Sequence, residues 1–461
     1  MTYDNMGRIL SIDAGTSRAK FEYSYVANED NIYRMQFDHR SGSPYNEFTY
    51  DNLDRVTDVT YLSNSQDTEE FPMDDLGNRT GSVAQRDGAH TYAVNSLTNR
   101  YTAIDSNSIT HDAAGNLTQD KDGYHYVYDY ENRVTRIYKL DGQTEITVAV
   151  FAYDALGRRI KKTDSIASET TYYYYNDQWQ ILAEYAGSAF GNSYVYGNYI
   201  DEVLVMNDGT NDYYYAHDHL YSPVALMETD GDVVERYEYD VYGKRAVMTD
   251  NFQSRTWSMY GNDFGLTGRE VDDLDFNSAD TPRLQHMHYR HRDYSPFMGR
   301  FMQHDPLGIV PNTIYNAYQP TMQYNDGVNV YQYVISKPVM KIDPMGLDTP
   351  GCTTPLGDMG NHCWRRCCAA HDQCYARGGN PPGGSRCESD SWCGRDRPEC
   401  IRCNDQVTLC MIGGAICGWD DTDQDYYCGV CGRYYGKADL PIHENHDTDQ
   451  GPNQPPLPPI P

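Results

Sequence analysis

A short phrase recurs through the first 250 residues and constrains the fold more than any other feature of the chain. It reads Tyr3-Asp4-x-x-Gly7-Arg8, Tyr50-Asp51-x-x-Asp54-Arg55, Met73-Asp74-x-x-Gly77-Asn78 and His111-Asp112-x-x-Gly115-Asn116. It returns as Tyr128-Asp129-x-x-Asn132-Arg133, Tyr153-Asp154-x-x-Gly157-Arg158 and Tyr239-Asp240-x-x-Gly243-Lys244. Where copies are regular they lie about twenty residues apart, the mark of a repeat architecture. Each copy describes a turn: an aromatic enters it, the Asp hydrogen-bonds the backbone two residues on, and Gly or Asn supplies a positive φ. Alternating stretches such as Thr171–Tyr175 and Arg236–Tyr239 read as the flanking strands. A lone hairpin is marginal in water, so the copies must stack or coil to share a core. The prediction is a mainly β shell of hairpins over residues 1–288.

Two residue types are sorted along the chain. All thirteen Cys fall between Cys352 and Cys431, whereas 38 of the 43 Tyr precede residue 352. The 461 residues therefore divide near residue 350. That Cys density suits a disulfide scaffold bound for an oxidising compartment, secreted or delivered to a cell surface. Thirteen is odd, so one thiol is left free or pairs between molecules. No apolar run is long enough for a membrane-spanning helix, and the opening MTYDNMGRIL has no stretch of signal-peptide type. A net charge of −30 argues against a nucleic-acid partner.

The repeated phrase resembles the YD repeats of the Rhs, teneurin and insecticidal toxin-complex C families, over about three quarters of the chain. That resemblance implies a β-cocoon wound from the repeats and enclosing a C-terminal toxin. The chain opens inside a repeat, which suggests a piece of a longer protein whose N-terminal delivery region lies upstream.

Residues 289–347 carry a second pattern: Tyr289-Arg-His-Arg292, Gly299-Arg-Phe301, Asp305-Pro-Leu-Gly308, Asn329-Val-Tyr331-x-Tyr333 and Pro338-x4-Asp343-Pro-x-Gly346-Leu347. Asp-Pro-x-Gly makes a tight turn on its own account. The series also closely resembles the Rhs-associated core, which cuts its own chain just after the final Leu. By that resemblance the cut follows Leu347, Asp305 and Asp343 are the catalytic carboxylates, and Arg292 supports them. The chemistry is self-consistent: two close carboxylates cannot both ionise, so one holds a proton while the other activates water. The stretch 309–342 between the Asp-Pro motifs is longer than usual for that family, which threatens to separate the two Asp.

The tail contains Cys367-Cys368-x-x-His371-Asp372-x-Cys374. On a helix Cys367, His371 and Cys374 share one face, with Cys368 and Asp372 on the next. His can take a proton from water, and Asp can ligate a hard cation. The string resembles the active-site helix of secreted phospholipase A2, implying a small α-helical, disulfide-rich domain over 348–440, followed by a disordered Pro-rich tail over 441–461. It implies His371 as general base and Ca²⁺ held by Asp372 and by carbonyls of a loop around Leu356 and Gly357. The second helix of that family begins near Cys403, where an Asp usually follows the Cys and orients the His; here Asn404 stands there and Asp405 comes next. The disulfide framework would draw on Cys352, Cys363, Cys367, Cys368, Cys374, Cys387, Cys393, Cys400, Cys403, Cys410, Cys417, Cys428 and Cys431. The implied activity is hydrolysis of the sn-2 ester of a phospholipid membrane, with an immunity protein as partner.

Two other readings compete. Cys400-x2-Cys403 and Cys428-x2-Cys431, 24 residues apart, fit a zinc ribbon. A non-catalytic cell-surface protein with a disulfide-rich binding tail is the other. The Asp421-x-Asp423-x-Asp425 run lacks the Gly and Glu of a calcium loop and reads as a solvated acidic loop.

Overall fold

The computed structural model describes residues 1–347 apart from 16, 28, 62–66, 85–87, 277–282, 308–322 and 325–326, together with the backbone of 417–420, 425–428 and 433–435. The repeated phrase folds into one stereotyped turn. At Tyr153-Asp154 the Asp154 N–H donates to the Arg158 carbonyl at 2.9 Å, and the Gly157 N–H donates to the Asp154 carbonyl at 3.0 Å. Asp154 Oδ1 accepts from the Leu156 and Arg158 N–H groups at 2.9 and 3.0 Å, and Oδ2 accepts from Arg158 Nε at 2.7 Å. Gly157 lies at φ +86°, where a residue with a Cβ is strained. One carboxylate thus satisfies the whole turn, which is why the Asp recurs. The copies at Asp4, Asp51, Asp74, Asp112, Asp129 and Asp240 use the same oxygen to accept the N–H four residues on.

The tyrosine has its own task. The hydroxyls of Tyr50, Tyr128, Tyr153, Tyr175 and Tyr239 donate to the carbonyls of Ile32, Leu117, Val134, Arg159 and Pro223 at 2.6–2.8 Å, each 11 to 19 residues earlier. These bonds lace each hairpin to the one before it. Three further copies escape the sequence phrase. Asp120, Asn176 and Asp218 each accept the N–H four residues on, although Gln119 and His217 replace the Tyr at two of them.

Hairpins in series pair only with their sequence neighbours, and that is the topology found. Eleven antiparallel strands run in strict chain order from Thr2–Tyr3 to Asn107–Ser108, and fifteen from Thr110–His111 to Ser254–Arg255. A smaller sheet follows, of strands Glu270–Leu274, Leu284–Tyr289, Arg292–Ser295 and Arg300–Phe301. It begins ahead of residue 289, because Glu270–Leu274 pairs in register with His288–Leu284.

This small sheet is seated by buried charge as well as by apolar packing. Leu274, Met298 and Met302 join the core of Tyr92, Ile104, Val134 and Phe151. The Arg159 side chain, 1% exposed, bridges Glu270 and Asp272 at 2.5 Å each. Arg245 pairs with Asp273 at 2.7 Å, and Arg269 with Asp201 at 2.7 Å. Breaking such buried pairs strands an uncompensated charge, so they fix one docking geometry.

Contacts divide the chain into Met1–Asp358 and Met359–Pro461. In the second unit Cys417–Asp420, Asp425–Cys428 and Arg433–Tyr435 form a three-stranded antiparallel sheet, with Cys417 opposite Cys428. The helices predicted around His371-Asp372 and Asn404-Asp405, the loop at Leu356 and Gly357, and the disulfides lie outside the described residues. Among the described residues, no helix is long and apolar enough to cross a membrane.

Candidate self-cleavage site

The Asp-Pro turns and the Arg292 guanidinium converge at the small sheet. Arg292 Nη2 lies 2.9 Å from Asp305 Oδ2 and 3.1 Å from Asp343 Oδ2. Each Asp divides its two oxygens. Asp305 Oδ1 accepts the Leu307 N–H at 2.7 Å, and Asp343 Oδ1 accepts the Leu347 N–H at 3.0 Å. One oxygen of each therefore builds its turn while the other meets Arg292, so the turn and the carboxylate pair coexist. The long intervening stretch leaves both Asp on the same guanidinium nitrogen.

Arg292 is held rigidly. Its Nε donates to the Gly346 carbonyl at 2.6 Å, and its Cζ lies 3.5 Å from the centroid of the Phe301 ring. The side chains of Arg292 and Asp305 are wholly buried, and Leu347 is 3% exposed. Burial pushes the Asp343 carboxyl up to about 6; Arg292 and the Leu347 N–H pull it back down, and the neighbouring Asp305 charge raises it. A carboxyl with that pKa carries a proton for part of the time at neutral pH, as a general acid must.

Other elements of the pattern seat this cluster against the repeats. Arg300 donates to the Asn99 carbonyl and to Oδ1 of Asn78 and Asn329, all at 3.0–3.1 Å. Asn329 Nδ2 donates to the Leu76 carbonyl at 2.9 Å, and the Tyr331 hydroxyl to the Gly115 carbonyl at 2.7 Å. Leu76 and Gly115 belong to turns of the repeated phrase. Tyr289, Tyr294, Phe301 and Tyr333 pack ring against ring, with centroids 4.7–5.7 Å apart. Sequence reasoning missed Asp201, Arg269 and Trp179, which lie beside the cluster but in no motif.

Antiparallel hairpins in strict chain order, built on the repeated Tyr-Asp turn, define a YD-shell protein. Residues 1–339 match the Teneurin YD-shell family model, and the chain belongs to that family. It is 26% identical over 281 residues to the tRNA3(Ser)-specific nuclease WapA of Bacillus spizizenii, covering 60% of this chain and 11% of the relative. It is also 26% identical over 316 residues to double-stranded DNA deaminase toxin A of Burkholderia cenocepacia, covering 60% of this chain and 19% of the relative. The chain thus spans under a fifth of either relative. The fold is shared with the TcdB2–TccC3 crystal structure, at a TM-score of 0.56 and 18% identity over 75% of this chain and 18% of that one. The Photorhabdus luminescens Tc holotoxin pore gives 0.53 and 16%, again over 75% and 18%.

Proposed function

We propose that this chain is the shell and cargo of a polymorphic toxin, and that the shell cuts its own chain between Leu347 and Asp348 to free the tail. The observation that carries this reading is the buried pair Asp305 and Asp343 on one Arg292 nitrogen, with Asp343 bonded to the Leu347 N–H. In the cut, Asp305 takes a proton from water, and the resulting hydroxide adds to the Leu347 carbonyl carbon. Protonated Asp343 donates to the carbonyl oxygen. The C–N bond then breaks as one hydroxyl of the tetrahedral intermediate returns its proton to Asp343; the Asp348 nitrogen leaves as an amine with the proton held by Asp305, and the new Leu347 carboxylic acid ionises to solvent. Neighbours in the family named as a nuclease and a deaminase toxin support the general pattern of a shell with an enzymatic tail.

For the freed tail, the Cys367-Cys368-x-x-His371-Asp372-x-Cys374 string supports a Ca²⁺-dependent phospholipase A2-like esterase acting on membrane lipid. His371 would deprotonate water, with Asn404 or Asp405 orienting its ring. Asp372 and the carbonyls of Leu356 and Gly357 would hold the ion; bound Ca²⁺ would polarise the ester carbonyl. These residues lie outside the described part of the chain. Delivery outside the producing cell would let the thirteen Cys pair, and a cognate immunity protein would guard the producer.

The test is intact mass of the full-length protein. A cut after Leu347 that is lost in Asp305→Asn, together with Ca²⁺-dependent fatty-acid release lost in His371→Ala, is the expected result. An uncut chain refutes the first half, and an oxidised tail that releases no fatty acid refutes the second.

A further inference from the structure

Three consecutive side chains meet three consecutive carbonyls ahead of the scissile bond. Arg290 Nη1 donates to the Pro344 carbonyl. His291 Nδ1 lies 3.0 Å from the Met345 carbonyl, and Arg292 Nε lies 2.6 Å from that of Gly346. The His291 backbone N–H also points to the Met345 carbonyl, at 3.3 Å. Arg292 belongs to the carboxylate cluster, but Arg290 and His291 touch neither Asp305 nor Asp343 by any bond described above.

The first two prongs are referenced to the shell. Arg290 Nη2 is 2.6 Å from Asp201 Oδ1, and Arg269 Nη1 holds the same oxygen at 2.7 Å. Asp201 is 2% exposed and precedes the strand Val203–Asn207 of the fifteen-stranded sheet. The His291 ring lies 5.0 Å, centroid to centroid, from Trp179, which occupies the turn closed by Asn176. Burial pushes the His291 ring down to about 4, so at neutral pH it is the uncharged imidazole, whose Nδ1–H can donate to a carbonyl.

We propose that Arg290 and His291 are positioning residues, forming with Arg292 a carbonyl clamp that sets the register of the cut and, through Asp201 and Trp179, permits it only once the second sheet has formed. This rests on the self-cleavage reading above. Backbone carbonyls recur along a chain with nothing to distinguish them, so a general acid–base pair needs an outside reference to select one peptide bond. Three donors spaced one residue apart supply it. A shift of one residue would place the Pro344 carbonyl opposite His291 and Met345 where Gly346 sits, its Cβ about 2.2 Å from the Tyr289 carbonyl oxygen, a clash that disfavours the slip.

The experiment is pulse-labelled translation of the full chain, chased on denaturing gels, with intact mass of both products. His291→Ala, Arg290→Met and Asp201→Asn should each slow the cut by on the order of tenfold to a hundredfold. His291→Ala should also give a mixture of termini around residue 347. His291→Asn, whose amide can donate in place of Nδ1, should restore one terminus and most of the rate. The product mass reports register independently of how much protein folds, and a melting curve of each variant accounts for lost fold. Variants that cut at the wild-type rate and at one bond overturn the clamp while leaving self-cleavage intact. Equal loss in His291→Ala and His291→Asn, with a single terminus in both, also overturns it. A wild-type chain that stays uncut overturns both the clamp and the reading it rests on.

Discussion

Gly346→Ala should slow self-cleavage at least about 100-fold while leaving the shell folded. Gly346 lies at φ +66°, and a Cβ there would fall 2.2 Å from the Tyr289 carbonyl oxygen and 3.1 Å from the Tyr289 Cβ. Close carbon–oxygen contacts in proteins run to roughly 3.3 Å, so the new methyl is about 1 Å too near. Tyr289 cannot yield, because its backbone is fixed in register with Arg292 across the hairpin. Residue 346 must move instead. The left-handed φ alone costs an L-residue about 1–2 kcal/mol. The displacement draws the Gly346 carbonyl off Arg292 Nε and the Leu347 N–H off Asp343 Oδ1, the two bonds that place the scissile carbonyl. A misplacement near 1 Å costs on the order of 10²-fold in rate, equivalent to about 2.7 kcal/mol of barrier.

The assay is the fraction of full-length chain remaining on a denaturing gel over a timed chase, beside a melting curve of the same protein. A half-life at least about 100-fold longer with only a small change in melting temperature is the expected pair of results. Gly346→Ala that cuts as fast as wild type at Leu347 would refute the placement of this turn, whatever the catalytic residues are.

Other outcomes separate turn from chemistry and test the shell. Asp343→Asn keeps an oxygen for the Leu347 N–H but loses the acid, so a folded, uncut chain should result, seen by intact mass. With Asp343 raised to about 6 and needed protonated, the cut should quicken as pH falls through about 6 and slow above it, read from chase half-lives across pH. Arg159→Met leaves Glu270 and Asp272 buried without their shared partner and should cost about 3–5 kcal/mol, measured by denaturant unfolding. Burial would lower the His286 pKa, but hydrogen bonds to Asp272 and Asp293 lift it to about 9. Its raised folded value means the stabilisation is full below its ordinary 6.5 and disappears as pH rises through about 9, so the melting temperature should fall over that window.

The shell was legible because its turn is local. Asp, two free positions and a residue of positive φ lie within five residues, and one carboxylate closes the turn wherever they occur. Copies that escaped the phrase did so for a physical reason: Asn176 supplies the same acceptor as Asp, and Trp179 and Tyr221 accept φ values of +65° and +63° without Gly or Asn. The tyrosine hydroxyl bonds were not legible, since they join residues 11 to 19 apart whose pairing depends on strand length and bulges. The carboxylate cluster was legible from a resemblance to known sequences. Its braces were not: Asp201 sits 89 residues from Arg290 and in no pattern of its own.

That distance bears on how a container and its release device can be one chain. The two carboxylates and the residue ahead of the proposed cut all lie within 305–347, so on that reading a locally folded segment would be free to cut before any shell existed. The structure ties that segment and the small sheet before it to distant repeats: Asn329 to the turn at Leu76, Tyr331 to the turn at Gly115, Arg290 of the sheet's hairpin to Asp201, and Glu270 and Asp272 of its first strand to Arg159. Several of these ties are charges or amides buried at a few percent exposure, costly to bury unpaired, so the segment gains its geometry only against formed hairpins. On the proposed reading, folding of the shell and competence for the cut would be the same event, with no separate timer needed.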